Sequence, residues 1–512
     1  MRRLLVMLVA SLVLGLVGGV GPAWAGDLLS PSSQPGTSQT ATQSNDGSNS
    51  ASQSATSEPV VVSGPNVALA NGSSCSPCGG SGTTTQNSGN TVDASATNTA
   101  TQSNNQSNAA GQTQTVSGGN SGSTDQSADQ SNSGSNSADQ SASSKPVVVS
   151  GPNVAALNSG DVNQNSGNNV DASTSNNANQ SNTQSNRAGQ SQTVAGGGCC
   201  SSHKGTSQSA SQSNEGSNSA DQTATSRPVV ISGGNYAVLN KGDVNQNSGN
   251  TVDASSSNTA NQQNNQSNSA GQSQTVAGSG RCCHKHGGDV SQSADQSNSG
   301  SNSADQSAYS APVVVSGPNV AVANGWGHSA CSPCGGGGGV SQNSGNAVYA
   351  PASNSATQSN TQSNALGQTQ TVDRGSSCCR KAGDVSQSAE QSNWAENSAN
   401  QRAYSAPVVV SGGNYAFFNK GGTTQNSGNA VYAPASNSAT QSNNQSNSLG
   451  QTQSVQGGGC CPSSDCSSCD HGCESDCGSK CDRGCEHPCR SHCSKCEPKC
   501  DRCEQPSGCG RG

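Results

Sequence analysis

The sequence predicts an all-β fold, a repetitive β-ribbon or β-solenoid array with flexible Gly/Ser-rich junctions and an irregular cysteine-rich tail. Three observations lead there. Two phrases recur five times each along the 512 residues. Within every recurrence, alternate positions carry the same residue types, which is the side-chain period of a strand. Hydrophobic residues make up only 28% of the chain and aromatics 2%. That is too little apolar area to offset the roughly 1–2 kcal/mol of backbone entropy that each residue of a conventional core must overcome. Such a chain is either held by repeated backbone and amide hydrogen bonds or largely disordered. A strict alternation argues for the first, because disorder has no inside face.

The elements follow in order. Residues 1–25 read as a signal peptide: Arg2 and Arg3, an apolar run from Leu4 to Val20, and the small-x-small site Ala23-Trp24-Ala25. No later run is apolar enough to span a bilayer, so membrane insertion is not expected. Losing the two arginines takes the net charge from −8 to −10. No basic field remains to attract nucleic acid. A linker, 26–36, precedes repeats at 37–119, 120–200, 201–283, 284–379 and 380–457, and a cysteine-rich tail covers 458–512.

Each repeat carries Gln-Asn-Ser-Gly-Asn, beginning at Gln86, Gln164, Gln246, Gln342 and Gln425. Every second residue from Gln86 gives Gln86, Ser88, Asn90, Val92, Ala94, Ala96, Asn98, Ala100, Gln102 and onward to Val116. The skipped positions are mostly Ser, Thr, Asn, Gly and Asp. One strand face would carry Gln, Asn, Ala and Val, the other Ser and Thr. The block is too long for one ordinary strand of about 3–10 residues. Turns are expected at Ser88-Gly89-Asn90 and at Ala110-Gly111. A shorter block with the same parity stands upstream, in the fourth repeat from Gln292 to Ala308. Identical amides stacked above one another would form ladders, and Ala leaves room for close sheet approach.

Between the two blocks lies the one apolar stretch of each repeat. Pro-Val-Val-Val-Ser-Gly stands at Pro59, Pro146, Pro312 and Pro407, and Pro-Val-Val-Ile at Pro228. The runs on either side of Ser316-Gly317-Pro318-Asn319, or of Ser411-Gly412-Gly413-Asn414, read as a hairpin. Its expected role is a local clamp on register, or a surface for lateral association. The preceding Pro is expected to block one end of strand pairing.

The block Gln296-x-Asn298-x-Gly300-x-Asn302-x-Ala304-x-Gln306 resembles the curlin repeat of bacterial extracellular amyloid fibres. It stands also at Gln43, Gln130, Gln212 and Gln391, with Ala395 in place of Gly in the last. The resemblance covers about a fifth of each repeat. It implies a stacked strand-turn-strand coil with inward Gln, Asn and Ser, and a fibre or matrix role. The chain departs from that pattern in turn spacing, in its longer second block and in its cysteines.

The 24 cysteines avoid both alternating blocks. Adjacent pairs close the repeats at Cys199-Cys200, Cys282-Cys283, Cys378-Cys379 and Cys460-Cys461. Cys-Ser-Pro-Cys inserts stand at Cys75/Cys78 and Cys331/Cys334. In a secreted chain these read first as disulfides, and neighbouring cysteines more readily reach other partners than each other, which points to cross-linking between chains. Lys204, Arg281, Lys285, Arg380 and Lys381 beside the pairs would favour thiolate and exchange. The tail offers a rival chemistry. Cys469, His471, Cys473, Cys485, His487, Cys489, His492 and Cys493 are thiolate and imidazole ligands suited to Zn²⁺ or Cu⁺, without the spacing of a zinc finger.

No Ser/His/Asp set, paired carboxylates or phosphate-cradling glycine loop is evident, so an enzyme is not expected, and nothing marks a small-molecule substrate. Acids such as Asp93 and Asp253 fall on the outward face and read as solvated. The expected function is a secreted, self-assembling structural protein: a disulfide-cross-linked extracellular fibre, sheath or coat. The alternative is an extracellular metal-binding protein with its Cys/His tail on a spacer.

Overall fold

The computed structural model describes residues 37–69, 83–117, 122–197, 205–279, 288–323, 338–373, 383–419 and 421–456. These residues are all-β, and no helix occurs among them. In the first repeat the strands are β1 (Thr37–Ser57), β2 (Val60–Val62), β3 (Asn66–Leu69), β4 (Thr84–Asn87), β5 (Thr91–Asp93) and β6 (Ala96–Ser117). Together they trace one flat, elongated turn. β1, β2 and β3 run out along one wall, and β4, β5 and β6 return along the other.

Every later repeat supplies the same six strands. The counterparts of β1 are Thr124–Ser144, Thr206–Ser226, Val290–Ser310 and Val385–Ser405, and those of β6 are Thr174–Gly197, Ser256–Ser279, Ala352–Asp373 and Ala435–Gln456. The five turns stack in chain order as layers, giving six parallel five-stranded sheets. Register is like on like: Gln130 lies over Gln43, Asn132 over Asn45 and Ala138 over Ala51. The described residues form a β-solenoid whose backbone hydrogen bonds run along the stack.

The alternation survives both corners of the return wall, which is why each has a defined length. At Ser150-Gly151-Pro152-Asn153, by contrast, the inward set shifts by one, from Val148 and Ser150 to Asn153 and Ala155, and past Leu157 it shifts back to Asn158 and Val162. At the first corner of the return wall the Asn87 side chain accepts from the Gly89 amide at 3.0 Å, and Asn165, Asn247 and Asn343 do the same for Gly167, Gly249 and Gly345. A Cβ on Gly89 would run into the Gly167 carbonyl of the next layer. At the next corner Asp93 accepts from the Ser95 amide at 3.2 Å and its hydroxyl at 2.6 Å. In the last two layers Tyr349 and Tyr432 replace that Asp, and Pro351 and Pro434 stand just beyond.

The interior has two chemistries. Between the long strands it is amide and alanine: Gln126, Gln140, Gln184, Gln212, Gln222 and Gln358 are among the largest fully buried side chains, and Ala138, Ala178, Ala220, Ala260 and Ala304 pack as one column. Between the short strands it is valine, with Val92, Val148, Val170, Val230, Val252, Val314 and Val348 in one cluster. The walls approach so closely that a Cβ on Gly134 or Gly216 would come 2.9 or 3.0 Å from the Gln184 or Gln266 amide nitrogen. Ala395 holds this position in the fifth layer, where no further layer lies beyond.

Three expectations are corrected. The valine segment is not a hairpin: β2 and β3 belong to different sheets, and each pairs with its counterpart in the next layer. A parallel stack supplies those strands with partners at every layer, so they do not need each other. Ala110-Gly111 is not a turn, because β6 runs through it unbroken; stacking on identical strands supports a length that a lone strand would not. Pro59 does not end pairing, since its carbonyl accepts from the Val147 amide at 2.9 Å, and Pro146, Pro228 and Pro312 repeat this. The curlin-like block from Gln296 to Gln306 is one continuous strand here, and its facing strand comes from the second block.

Candidate functional site

All of the cysteines and histidines lie outside the described residues. So do the pairs Cys199-Cys200, Cys282-Cys283, Cys378-Cys379 and Cys460-Cys461, and the tail ligands Cys469, His471, Cys473, Cys485, His487, Cys489, His492 and Cys493. The signal, linker and tail lie outside them as well. Among the described residues no group of His, Cys, Asp and Glu could hold a metal ion. From the second layer on, the chain leaves each layer toward a cysteine pair after a common register position, where Val194, Val276, Val372 and Val455 stack. The excursions that hold Cys75/Cys78 and Cys331/Cys334 leave from the opposite end of the layer, after Leu69 and Ala323. There Leu157, Leu239, Ala323 and Phe418 turn the chain in the left-handed region, with φ of 61°, 58°, 54° and 55°.

What the described residues do present is two unfinished ends. The first and fifth layers have no neighbour on one side, so all six sheets end there in unpaired strand edges. The β1 strand is half-buried, and Ala435–Gln456 is exposed throughout.

The side chains at these ends are ordered by direction. In the Gln ladders each layer donates back to the one before: Gln126 to Gln39 at 3.1 Å, Gln208 to Gln126 at 2.9 Å, Gln292 to Gln208 at 2.9 Å and Gln387 to Gln292 at 2.9 Å. The opposite wall repeats this from Gln441 to Gln102. The inward Asn ladders run the other way: Asn45 to Asn132, Asn132 to Asn214, Asn214 to Asn298 and Asn298 to Asn393, at 3.0–3.2 Å. The fifth layer therefore closes each Gln ladder on a carbonyl oxygen and each inward Asn ladder on an amide nitrogen. The first layer opens them with the complementary groups. Sequence parity named these residues as inward, but direction has no signature in a residue name.

The outer faces differ in charge. The wall built on β1 carries an outward carboxylate in every layer, among them Asp46, Asp139, Asp221, Asp305 and Glu390, against Arg402 on the long strands and Lys145 and Arg227 just beyond them. Asp139, Asp221 and Asp305 stack in register. Burial, then the charges of Asp139 and Asp305, hold the Asp221 carboxyl above its usual range. The corner acids split: the Ser95 hydrogen bonds hold Asp93 low, while burial raises Asp253. Described aromatics gather toward the fifth layer, with Tyr309 stacked on Tyr404 at 5.2 Å, Tyr349 on Tyr432 at 5.3 Å, and Arg227 over the Tyr309 ring at 4.2 Å.

No described helix is long and apolar enough to cross a membrane. Comparison with family models, with curated proteins and with solved structures finds no match to this chain.

Proposed function

We propose that this chain is a secreted structural protein, without a catalytic role, whose β stacks join end to end into an extracellular fibre, sheath or coat. The observation that carries this reading is the complementarity of the two ends. The fifth layer of one copy offers carbonyl oxygens on its Gln ladders and amide nitrogens on its inward Asn ladders. The first layer of another offers the reverse, on strands of matching length and residue order. Four successive layer contacts within the chain already use this geometry, so a fifth between chains needs no new chemistry. The signal-like residues 1–25 support export. The cysteine pairs, spaced one per layer from the second repeat on, support covalent fastening in an oxidising compartment.

Fibre diffraction and electron microscopy of the secreted, oxidised protein test this. We expect filaments with a reflection near 4.8 Å along the fibre axis, and reduction should release shorter species. Gln445→Lys places a charge on the inward row of the open fifth layer and should stop elongation while leaving the single stack folded. Wild-type protein that stays monomeric at its highest soluble concentration would refute the reading.

A further inference from the structure

We propose that the outward face of the wall built on β6 docks a second copy side by side, so that two stacks pair back to back through their nearly uncharged long strands. This deepens the assembly reading and takes from it the identity of the partner, but pairing does not require filament growth.

The first argument is charge. The β1 wall is acidic in every layer, whereas the five long strands of the β6 wall carry only Arg187 and, at the last residue of Ala352–Asp373, Asp373. A soluble face usually mixes charges over about 25–35% of its residues. Here nearly all the charge on the long strands lies on one wall, and the acids of the return wall, Asp93, Asp171 and Asp253, stand at its corner. Two acidic walls repel; two β6 walls do not.

The second argument is area. Strands of 22–24 residues at about 3.3 Å per residue, in five layers about 4.8 Å apart, make a face of roughly 1,500 Å². A standard stable interface buries about 800 Å² on each partner. The face is also nearly flat and built of small side chains: Thr101, Ser103, Ser181, Thr357 and Ser359 line its shallow depression. Small hydroxyl and amide side chains suit the close sheet-on-sheet approach of a dry zipper.

The third observation supports rather than carries the proposal. Gly111, Gly189, Gly271, Gly367 and Gly450 stack in one outward column. None has a positive φ, and a Cβ on any of the first four would meet nothing within 4 Å. Neither conformation nor internal packing requires glycine there, unlike Gly134 and Gly216. A trough the length of the stack is what an approaching second sheet would use. The lack of aromatic side chains on these strands disfavours a polysaccharide, whose rings stack on aromatic platforms.

The test uses the full secreted chain with p-benzoylphenylalanine at Gln263 on the β6 wall or at Ser219 on the β1 wall. Irradiation should give covalent dimers from Gln263 and not from Ser219. Gly189→Val with Gly271→Val should lower the Gln263 yield at least tenfold, with the strand signal in circular dichroism and the melting temperature not reduced. Dimers from Ser219, dimers from neither position, or an unchanged yield in the glycine variant would overturn the proposal. So would cross-linking of Gln263 to added β-glucan oligosaccharide in place of a second copy. Electron microscopy separates the two readings. Filaments one stack wide sink pairing and leave end-to-end growth standing, and short back-to-back pairs that never elongate do the reverse.

Discussion

Each layer has a long-stranded part filled with amides and a short-stranded part filled with valine, and the two hold the stack by different means. Asn218 represents the first. Its amide nitrogen reaches the Gln263 carbonyl at 3.1 Å, Asn264 at 2.9 Å and Asn302 at 2.9 Å, and its oxygen accepts from Asn136 at 2.9 Å and Asn182 at 3.0 Å. Val230 represents the second, fully buried in the valine cluster with no polar obligation. An apolar contact accepts any apolar neighbour of the right size. A buried amide tolerates one alignment, because a shift along the strand leaves every group in the column unpaired. The amide region therefore specifies register, and the valine region adds solvent-excluded area without specifying it.

That contrast can be broken from either side. The largest effect is expected from Asn218→Leu, which keeps bulk but removes five hydrogen bonds from the column, those to the Gln263 carbonyl, Asn264 and Asn302 and those from Asn136 and Asn182. At about 0.5–1.5 kcal/mol net for each buried hydrogen bond lost, the loss should be about 3–6 kcal/mol in chemical denaturation. A loss no greater than that of Val230→Ala would mean the ladders do not dominate. Val230→Ala removes two methyl groups from a well-packed site and should cost roughly 2–3 kcal/mol, with register unchanged.

The smallest expected effect is electrostatic and sharpens the view of the walls. Asp221 binds its proton more tightly in the folded stack than in the unfolded chain, because burial and the aligned Asp139 and Asp305 disfavour its charge. Its contribution to stability therefore increases as pH falls through the carboxylate range and is lost as pH rises above the folded-state value. Asp221→Asn should raise the melting temperature slightly at neutral pH and flatten this part of the pH profile. If wild type and variant melt alike at pH 7 and pH 4, the column does not strain the wall.

Much of this was readable from the chain. Parity alone picked out the inward face: the positions counted from Gln342, such as Ser344, Val348, Ala350, Gln358, Leu366 and Val372, are all buried. It also located the corner at Ser88-Gly89-Asn90. What parity could not give is the partner of each strand. A period of two says which side faces in, and says nothing of whether Val60–Val62 pairs with the next strand in sequence or with its copy one repeat later. The local Ser-Gly-Pro-Asn signal favoured the hairpin, and the fivefold register favoured the stack. Backbone pairing along all six sheets decided for the stack. The charge difference between the walls was present in the residue names, but it acquires meaning only once the two blocks are known to form opposite faces.

The opposed running of the amide ladders has an electrical consequence. Aligned amide dipoles in an α-helix accumulate toward opposite partial charges at its ends. Here the Gln columns point one way along the stack and the inward Asn columns the other, so each added layer largely cancels its own buried amide moment. An assembly built this way can lengthen without accumulating a net amide dipole along its axis.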